Sequence, residues 1–400
     1  MYLYFFLLYI AALFGHRKAR LLVRGQRATM AQIAQKKQQL QHCIWFHAAS
    51  VGEFEQARPI IERLRAEHPT EKILLTFFSP SGYEMRKQYD KVDCVAYLPF
   101  ATKRNAQRFL DVLQPKMAIF VKYEFWPAYL RGLQKRHIPT YGISAIFRPT
   151  QLFFRPWGKA YLQLLQCFQH IYVQDIASLQ LLQAHGITHC SVTGDTRFDR
   201  VNQLAHKKEQ RIAGEGAGDR LLVAGSTWPE DEALLARYID SHEDTRLILV
   251  PHEITKPHLH HIFQLFHGRY HLLSQEPDRL HSNAHTGNRV FVVDKMGLLS
   301  SLYRHGQVAY VGGGFGAGIH NTIEAAVYGM PVVFGPKYQH FREAKALIAA
   351  GAGFSVRTYR QLESALDNAF ANHITLGQKA RQYVESELGA TDKIYNELFR

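Results

Sequence analysis

Cysteine is scarce in this chain, and long apolar runs are scarcer. The four cysteines (Cys43, Cys94, Cys167, Cys190) stand far apart with no CxxC pair, which excludes a dense disulfide framework and the paired-thiolate zinc motifs. Reduced thiols in a reducing compartment are expected. The best apolar run, MYLYFFLLYIAALFG, ends at Gly15, short of the roughly 20 residues of a spanning helix. It also lacks the basic start and the small-residue cleavage site of a secretory signal. Acidic residues are the minority, 34 against 48 Lys and Arg, for a net charge of +14. Such a surface seeks anions: nucleic acid, acidic headgroups or phosphorylated substrates. The basic residues are dispersed and no nucleic-acid module appears, so nucleic acid is not an expected partner.

What is present is the composition of a folded chain, 46% hydrophobic and 20% charged, with a length that favours two domains. Short continuous apolar runs recur between helical patterns: CIWFHAAS, KILLTFFS, CVAYLPF, MAIFVKYEF, PTYGISA, HIYVQD and HCSVTGD, then RLLVAGST, RLILVPH, NRVFVVD, VAYVGGGF and PVVFGP. Continuous rather than alternating, they read as buried strands of parallel sheets. A polar, glycine-containing stretch at 206–219 reads as a linker. The expected organisation is a membrane-associating segment at 1–30, a Rossmann-like domain at 31–205, and a second at 220–400 whose last helix packs back on the first domain. Ligands gather at the carboxyl ends of such strands, here in a cleft between the domains. The Arg and Lys that follow Gly15 in HRKARLLVRGQR suit a first helix that dips into the inner leaflet; packing on the protein itself is the alternative.

Three stretches invite chemistry. In HAASVGEFEQARPIIERL a strand turns into a helix, and Ser50 with Glu53 fits a capping box. The same carboxylate would face the cleft as a general base, and both roles stand. In VAYVGGGFGAGIHNTIEAA, glycines 312, 313, 314, 316 and 318 let backbone amides approach a phosphate, ahead of a helix beginning near Asn321. Asn321 with Glu324 again fits a capping box, and the loop is neither a Walker sequence nor a clean dinucleotide fingerprint. In GSTWPEDE, Ser226 and Thr227 either cap the next helix or bind phosphate. The histidines of PHEITKPHLHH have no matching acid and read as loop residues, so no metal site is expected.

Taken in order, HAASVGE, EFWP, VTGDTRFD, GSTWPEDE, LILVP, KMGLLSSLY and VGGGF..GIHNTIEAA followed by GP...HF.E resemble the 3-deoxy-D-manno-oct-2-ulosonic acid (Kdo) transferases. These are inverting glycosyltransferases of lipopolysaccharide synthesis. The resemblance implies an α/β fold of glycosyltransferase-B type, CMP-Kdo as donor, and a lipid A precursor at the cytoplasmic face of the inner membrane as acceptor. It implies Glu53 as proton acceptor, Arg197 as stabiliser of the leaving group and a supporting part for Glu124. Donor contacts are expected from Ser226, Thr227, Pro251, His252, Met296, Gly297, Leu298, His320, Asn321, Thr322, Ile323 and Glu324, with no metal or other cofactor. Three positions depart from the family pattern: His252 for an arginine, Lys122 for an acid, and Leu298 for a glutamate. A UDP-sugar transferase or 2-epimerase of the same fold is the alternative.

Overall fold

The structure, a computed structural model, describes residues 2–206, 220–276 and 288–400. The expected linker beyond His206 lies outside them. Two compact units form, Met1–Arg200 with Leu388–Arg400, and Val201–Glu387.

The first unit holds a seven-stranded sheet: β1 (Ile44–Ala48), β2 (Ile73–Phe77), β3 (Cys94–Tyr97), β4 (Met117–Val121), β5 (Thr140–Ala145), β6 (His170–Val173) and β7 (Cys190–Val192), in the order β3-β2-β1-β4-β5-β6-β7. Every pairing is parallel. Each of the seven apolar runs forms one of these strands, because residues buried on both sheet faces have no polar position to alternate with. Trp45, Phe109, Phe120 and Tyr129 pack on one face, and Phe46, Phe54, Ile60 and Val121 on the other. The order reverses between β1 and β4.

The chain ends flank this sheet. The helix Ala390–Phe399 sets Ile394 and Tyr395 into the second face beside the helix Val51–Glu67, with Arg63 over the Tyr395 ring at 4.0 Å. The first helix, Tyr2–Leu13, buries Phe5 against Phe100 at 4.5 Å between ring centroids and leaves Leu7 exposed, with Leu13 and Phe14 exposed at its end. One face of the segment thus packs on the protein itself, while apolar side chains remain outward. Among the described residues no helix is long and apolar enough to cross a membrane.

The second unit repeats the plan with β8 (Arg220–Thr227), β9 (Thr245–Pro251), β10 (Tyr270–Leu272), β11 (Val290–Val292), β12 (Val308–Val311), β13 (Val332–Phe334) and β14 (Gly353–Ser355), in the order β10-β11-β9-β8-β12-β13-β14. Its reversal lies between β8 and β12. Five of these strands come from the expected runs. The two edge strands, β10 and β14, have only three residues each and carry no apolar run long enough to show in sequence.

Candidate active site

Open α/β sheets bind ligands outside the carboxyl ends of the strands where the order reverses, and both switch points carry unusual side chains. In the first unit β1 ends at Ala48 and the helix Val51–Glu67 starts after a short turn. Glu53 stands in its first turn. The Ser50 hydroxyl makes no cap bond, so only the Glu53 half of the expected capping box is present. The Glu53 carboxylate accepts from the Ala49 amide at 2.5 Å and is also hydrogen-bonded by the Ser50 backbone. Burial and the nearby Glu124 raise its pKa to about 7, against the opposing pull of that amide and of Lys122. A carboxyl poised there takes or gives a proton at neutral pH.

Glu124 follows β4 at the same switch point. Its Oε2 accepts from the Trp126 indole N–H at 2.7 Å and lies 3.3 Å from His47 Nε2. His47 is fully buried in β1, and its Nδ1 lies 3.1 Å from the Thr76 carbonyl. Its Nδ1 also lies 2.9 Å from the Thr76 hydroxyl, and the Trp126 indole nitrogen lies 3.1 Å from its Nε2. Lys122 adopts a left-handed backbone, φ +57. That conformation costs a non-glycine residue roughly 1–3 kcal/mol and clusters at functional sites.

Arg197 lies near the start of the helix Thr196–Ala205. Buried Asp195 grips its guanidinium at 2.8 Å (Nε) and 2.7 Å (Nη2) and accepts from its amide at 3.0 Å. Burial would raise the Asp195 pKa, yet Arg197 and Gln56 hold it below the ordinary value. Tyr123 feels both Glu53 and Arg197 electrostatically, so the fold brings these two sequence-expected residues into one neighbourhood.

In the second unit β8 and β9 end side by side, Thr227 opposite Pro251, and the His252 amide donates to the Thr227 carbonyl at 3.0 Å. That contact keeps the two strand ends in register, and Ser226 beside them is left-handed, φ +53. Trp228, His252 and His320 stack here, with ring centroids 5.0 Å and 4.2 Å apart along the series. The Trp228 indole N–H donates to His320 Nε2 at 3.2 Å. Burial and the neighbouring His252 lower the His320 pKa to about 4, so the ring stays neutral and can accept. The turn Met296–Leu298 reaches the same edge through Leu299, which packs at Gly225. Gly297 takes φ +86 and Met296 is exposed.

Several expectations need correction. Neither Ser226 nor Thr227 caps the next helix: Trp228 is its N-cap residue, and the buried Thr227 hydroxyl donates to Glu232 at 2.9 Å. Four of the five loop glycines spend their amides internally. Gly312 donates to Gly225, Gly313 to the buried Asp231 carboxylate at 2.9 Å, and Gly316 and Gly318 to the Gly313 carbonyl. These glycines serve close packing; a Cβ on Gly312 would sit 2.4 Å from the Ser226 carbonyl oxygen. The helix expected near Asn321 is the four-residue Ile323–Ala326, too short for a large dipole. Asn321 Nδ2 donates to Glu324 Oε1 at 2.8 Å and Asn321 Oδ1 accepts from the Ile323 amide, so no reciprocal capping box forms. Thr322 and Ile323 are buried, the Thr322 hydroxyl without a hydrogen-bond partner. His258 is helical, in Lys256–Leu265, and does have an acid: its Nε2 lies 3.0 Å from the Glu232 carboxylate. No group of three or more metal-ligating side chains occurs among the described residues.

His47, Trp126, Asp195, Trp228 and Asp231 escaped the sequence reading. All five lie inside or beside the quoted motifs, but each is also held by a partner 29 to 139 positions away, where spacing carries no signal.

Residues 24–200 match the family described as 3-deoxy-D-manno-octulosonic-acid transferase (kdotransferase). The chain is 28% identical over 362 residues to a 3-deoxy-D-manno-octulosonic acid transferase of Aquifex aeolicus, covering 86% of this chain and 92% of that protein. Among solved structures it is similar to a UDP-GlcNAc 2-epimerase of Neisseria meningitidis (TM-score 0.63, 14% identity, 88% of this chain and 98% of that one). It is also similar to Acinetobacter baumannii MurG (TM-score 0.54, 14% identity, 90% and 99%). At these identities the structural likeness shows the fold alone, an α/β fold of glycosyltransferase-B type.

Proposed function

We propose that this chain, similar over most of its length to 3-deoxy-D-manno-octulosonic acid transferases, is a glycosyltransferase that transfers Kdo from CMP-Kdo to a lipid A precursor in lipopolysaccharide synthesis, with inversion. The observation that carries the reading is the Glu53 carboxyl, raised to about 7 at the β1/β4 switch point. A sugar hydroxyl is a poor nucleophile. Glu53 takes its proton as oxygen bonds to the anomeric carbon of Kdo, and the bond to CMP breaks with the electron pair leaving on the phosphate. Arg197, its orientation fixed by Asp195, stabilises that phosphate; a preorganised donor of this kind contributes about 3 kcal/mol. Glu124, held by Trp126, keeps the Glu53 proton affinity high. The donor's nucleoside lies at the second unit's switch point, with the ribose hydroxyls on Glu324 and the orphaned Thr322 hydroxyl available to the ligand.

The first helix and the exposed Arg17, Lys18, Arg20 and Arg24 behind it hold the protein on the cytoplasmic leaflet, each charge worth about 1 kcal/mol near an anionic surface. Removing 24 residues would also strip buried Ala19, Leu22 and Val23 from the fold. The cleaner disruption is Leu13→Asp with Phe14→Asp, which should release the protein from anionic vesicles while transfer to detergent-dispersed acceptor continues.

The deciding experiment incubates purified protein with a CMP-Kdo generating system and a tetraacylated lipid A precursor and reads product mass. A gain of one or more Kdo units is expected. No gain, together with a melting temperature raised by UDP and not by CMP, would favour the UDP-sugar alternative.

A further inference from the structure

Away from the carboxylates, the first unit carries a groove of about 400 Å³ that neither switch point uses. Phe5 of the first helix, with Pro127 and Ala128 of the helix Pro127–Lys135, lines its apolar part, and Lys103, Arg131 and Lys135 supply cations. These three are exposed and have no acidic partner among the described residues. The fourth cation, Arg136, differs: Asp111 takes it at 2.5 Å and the Gly132 carbonyl at 3.1 Å. An apolar slot edged by unpaired cations is complementary to an amphiphile with an anionic head. Its source is indicated by Phe5, because the segment that lines the slot also exposes Leu7, Leu13 and Phe14, the apolar surface that seeks a bilayer. The volume lies near the low end of small-molecule sites, about 300–1,000 Å³, room for one acyl chain rather than the several of a lipid A precursor.

We propose that this groove seats one anionic glycerophospholipid of the leaflet, an acyl chain against Phe5, Pro127 and Ala128 and its phosphate among Lys103, Arg131 and Lys135. The inference rests on the reading of the first helix as lying in the leaflet, and not on the sugar transferred. Pro127 directly follows Trp126, whose indole holds Glu124, so a seated lipid anchors the helix at whose start the carboxylate site is built.

The test titrates the full chain by calorimetry with dihexanoyl phosphatidylglycerol below its micelle concentration, with dihexanoyl phosphatidylcholine and inorganic phosphate as separate arms. One phosphatidylglycerol per chain is expected, at least tenfold tighter than phosphatidylcholine, with no measurable binding of phosphate alone. Arg131→Glu with Lys135→Glu should weaken phosphatidylglycerol at least tenfold and leave CMP affinity unchanged. Ala128→Phe, which fills the slot, should remove lipid binding; if it lowers the melting temperature, the charge-reversal variant decides. Equal binding of the two lipids, or binding indifferent to charge reversal, overturns the proposal. So does displacement of phosphatidylglycerol by the tetraacylated acceptor, which would make the groove an acceptor subsite. The lipid arms give their result whether or not Kdo transfer is observed.

Discussion

The two switch points share a topology and differ in electrostatics. At the first, burial together with a second carboxylate close by raises the Glu53 pKa to about 7, with a strained lysine beside them. At the second, the histidines stay neutral in a ring stack, and the deeply buried Asp231 is spent on the Gly313 amide, the Trp228 amide at 3.0 Å and the Tyr310 hydroxyl at 2.7 Å. The first arrangement stores proton affinity; the second stores shape. A repeated fold supplies the place, and the residues just beyond the strand ends decide whether that place reacts or binds.

The sharpest way to break this contrast is Glu53→Gln. Transfer should fall by about 10² to 10⁴-fold, the span of a general base, while CMP affinity holds. Stability should move the other way. A raised folded-state pKa stabilises below the unfolded value and loses that contribution as pH rises through about 7. At pH 8 the wild-type carboxylate is ionised at a cost of up to about 3 kcal/mol, so the glutamine variant should melt higher than wild type at pH 8 and no higher at pH 4. Equal melting at both pH values would mean that Glu53 is not strained.

Asp231→Ala tests the second site's dependence on shape. Orphaning buried donors should destabilise the unit by about 2–4 kcal/mol, read by denaturant unfolding, and weaken CMP in proportion to the loss of loop order. Glu324→Ala should weaken CMP roughly tenfold, the worth of one hydrogen bond to a charged group, by calorimetry in a variant that remains folded. Unchanged affinity would confine Glu324 to orienting Asn321.

The smallest effects are in pH profiles. The rate of transfer should rise with pH through about 7 as Glu53 ionises. Glu124→Gln should move that limb to lower pH and Lys122→Ala to higher pH, since Glu124 raises and Lys122 lowers the Glu53 pKa. At the other switch point, the lowered His320 pKa stabilises the neutral ring above the unfolded value of about 6.5 and loses that contribution as pH falls toward 4. His320→Phe should flatten the fall in melting temperature across that window.

Buried parallel strands announce themselves as continuous apolar runs, and twelve strands were legible for that reason. The edge strands β10 and β14 were not, being short and partly solvated. The position of Glu53 was equally legible, since a strand, a small-residue turn and an amphipathic helix put one acid at the strand's carboxyl end. The ordered motifs along the chain were local as well, and they carried the resemblance to the Kdo transferases that the family match over residues 24–200 and the curated relatives bear out. Whether Glu53 caps its helix or holds a proton was not local: Glu124 is far away in sequence and raises the Glu53 pKa only because β1 and β4 pair. The glycine-rich loop teaches the reverse lesson. Its composition suggested amides open to phosphate, but backbone donors satisfy themselves where acceptors are near, and only the folded chain brought Asp231 and Gly225 close enough to take them.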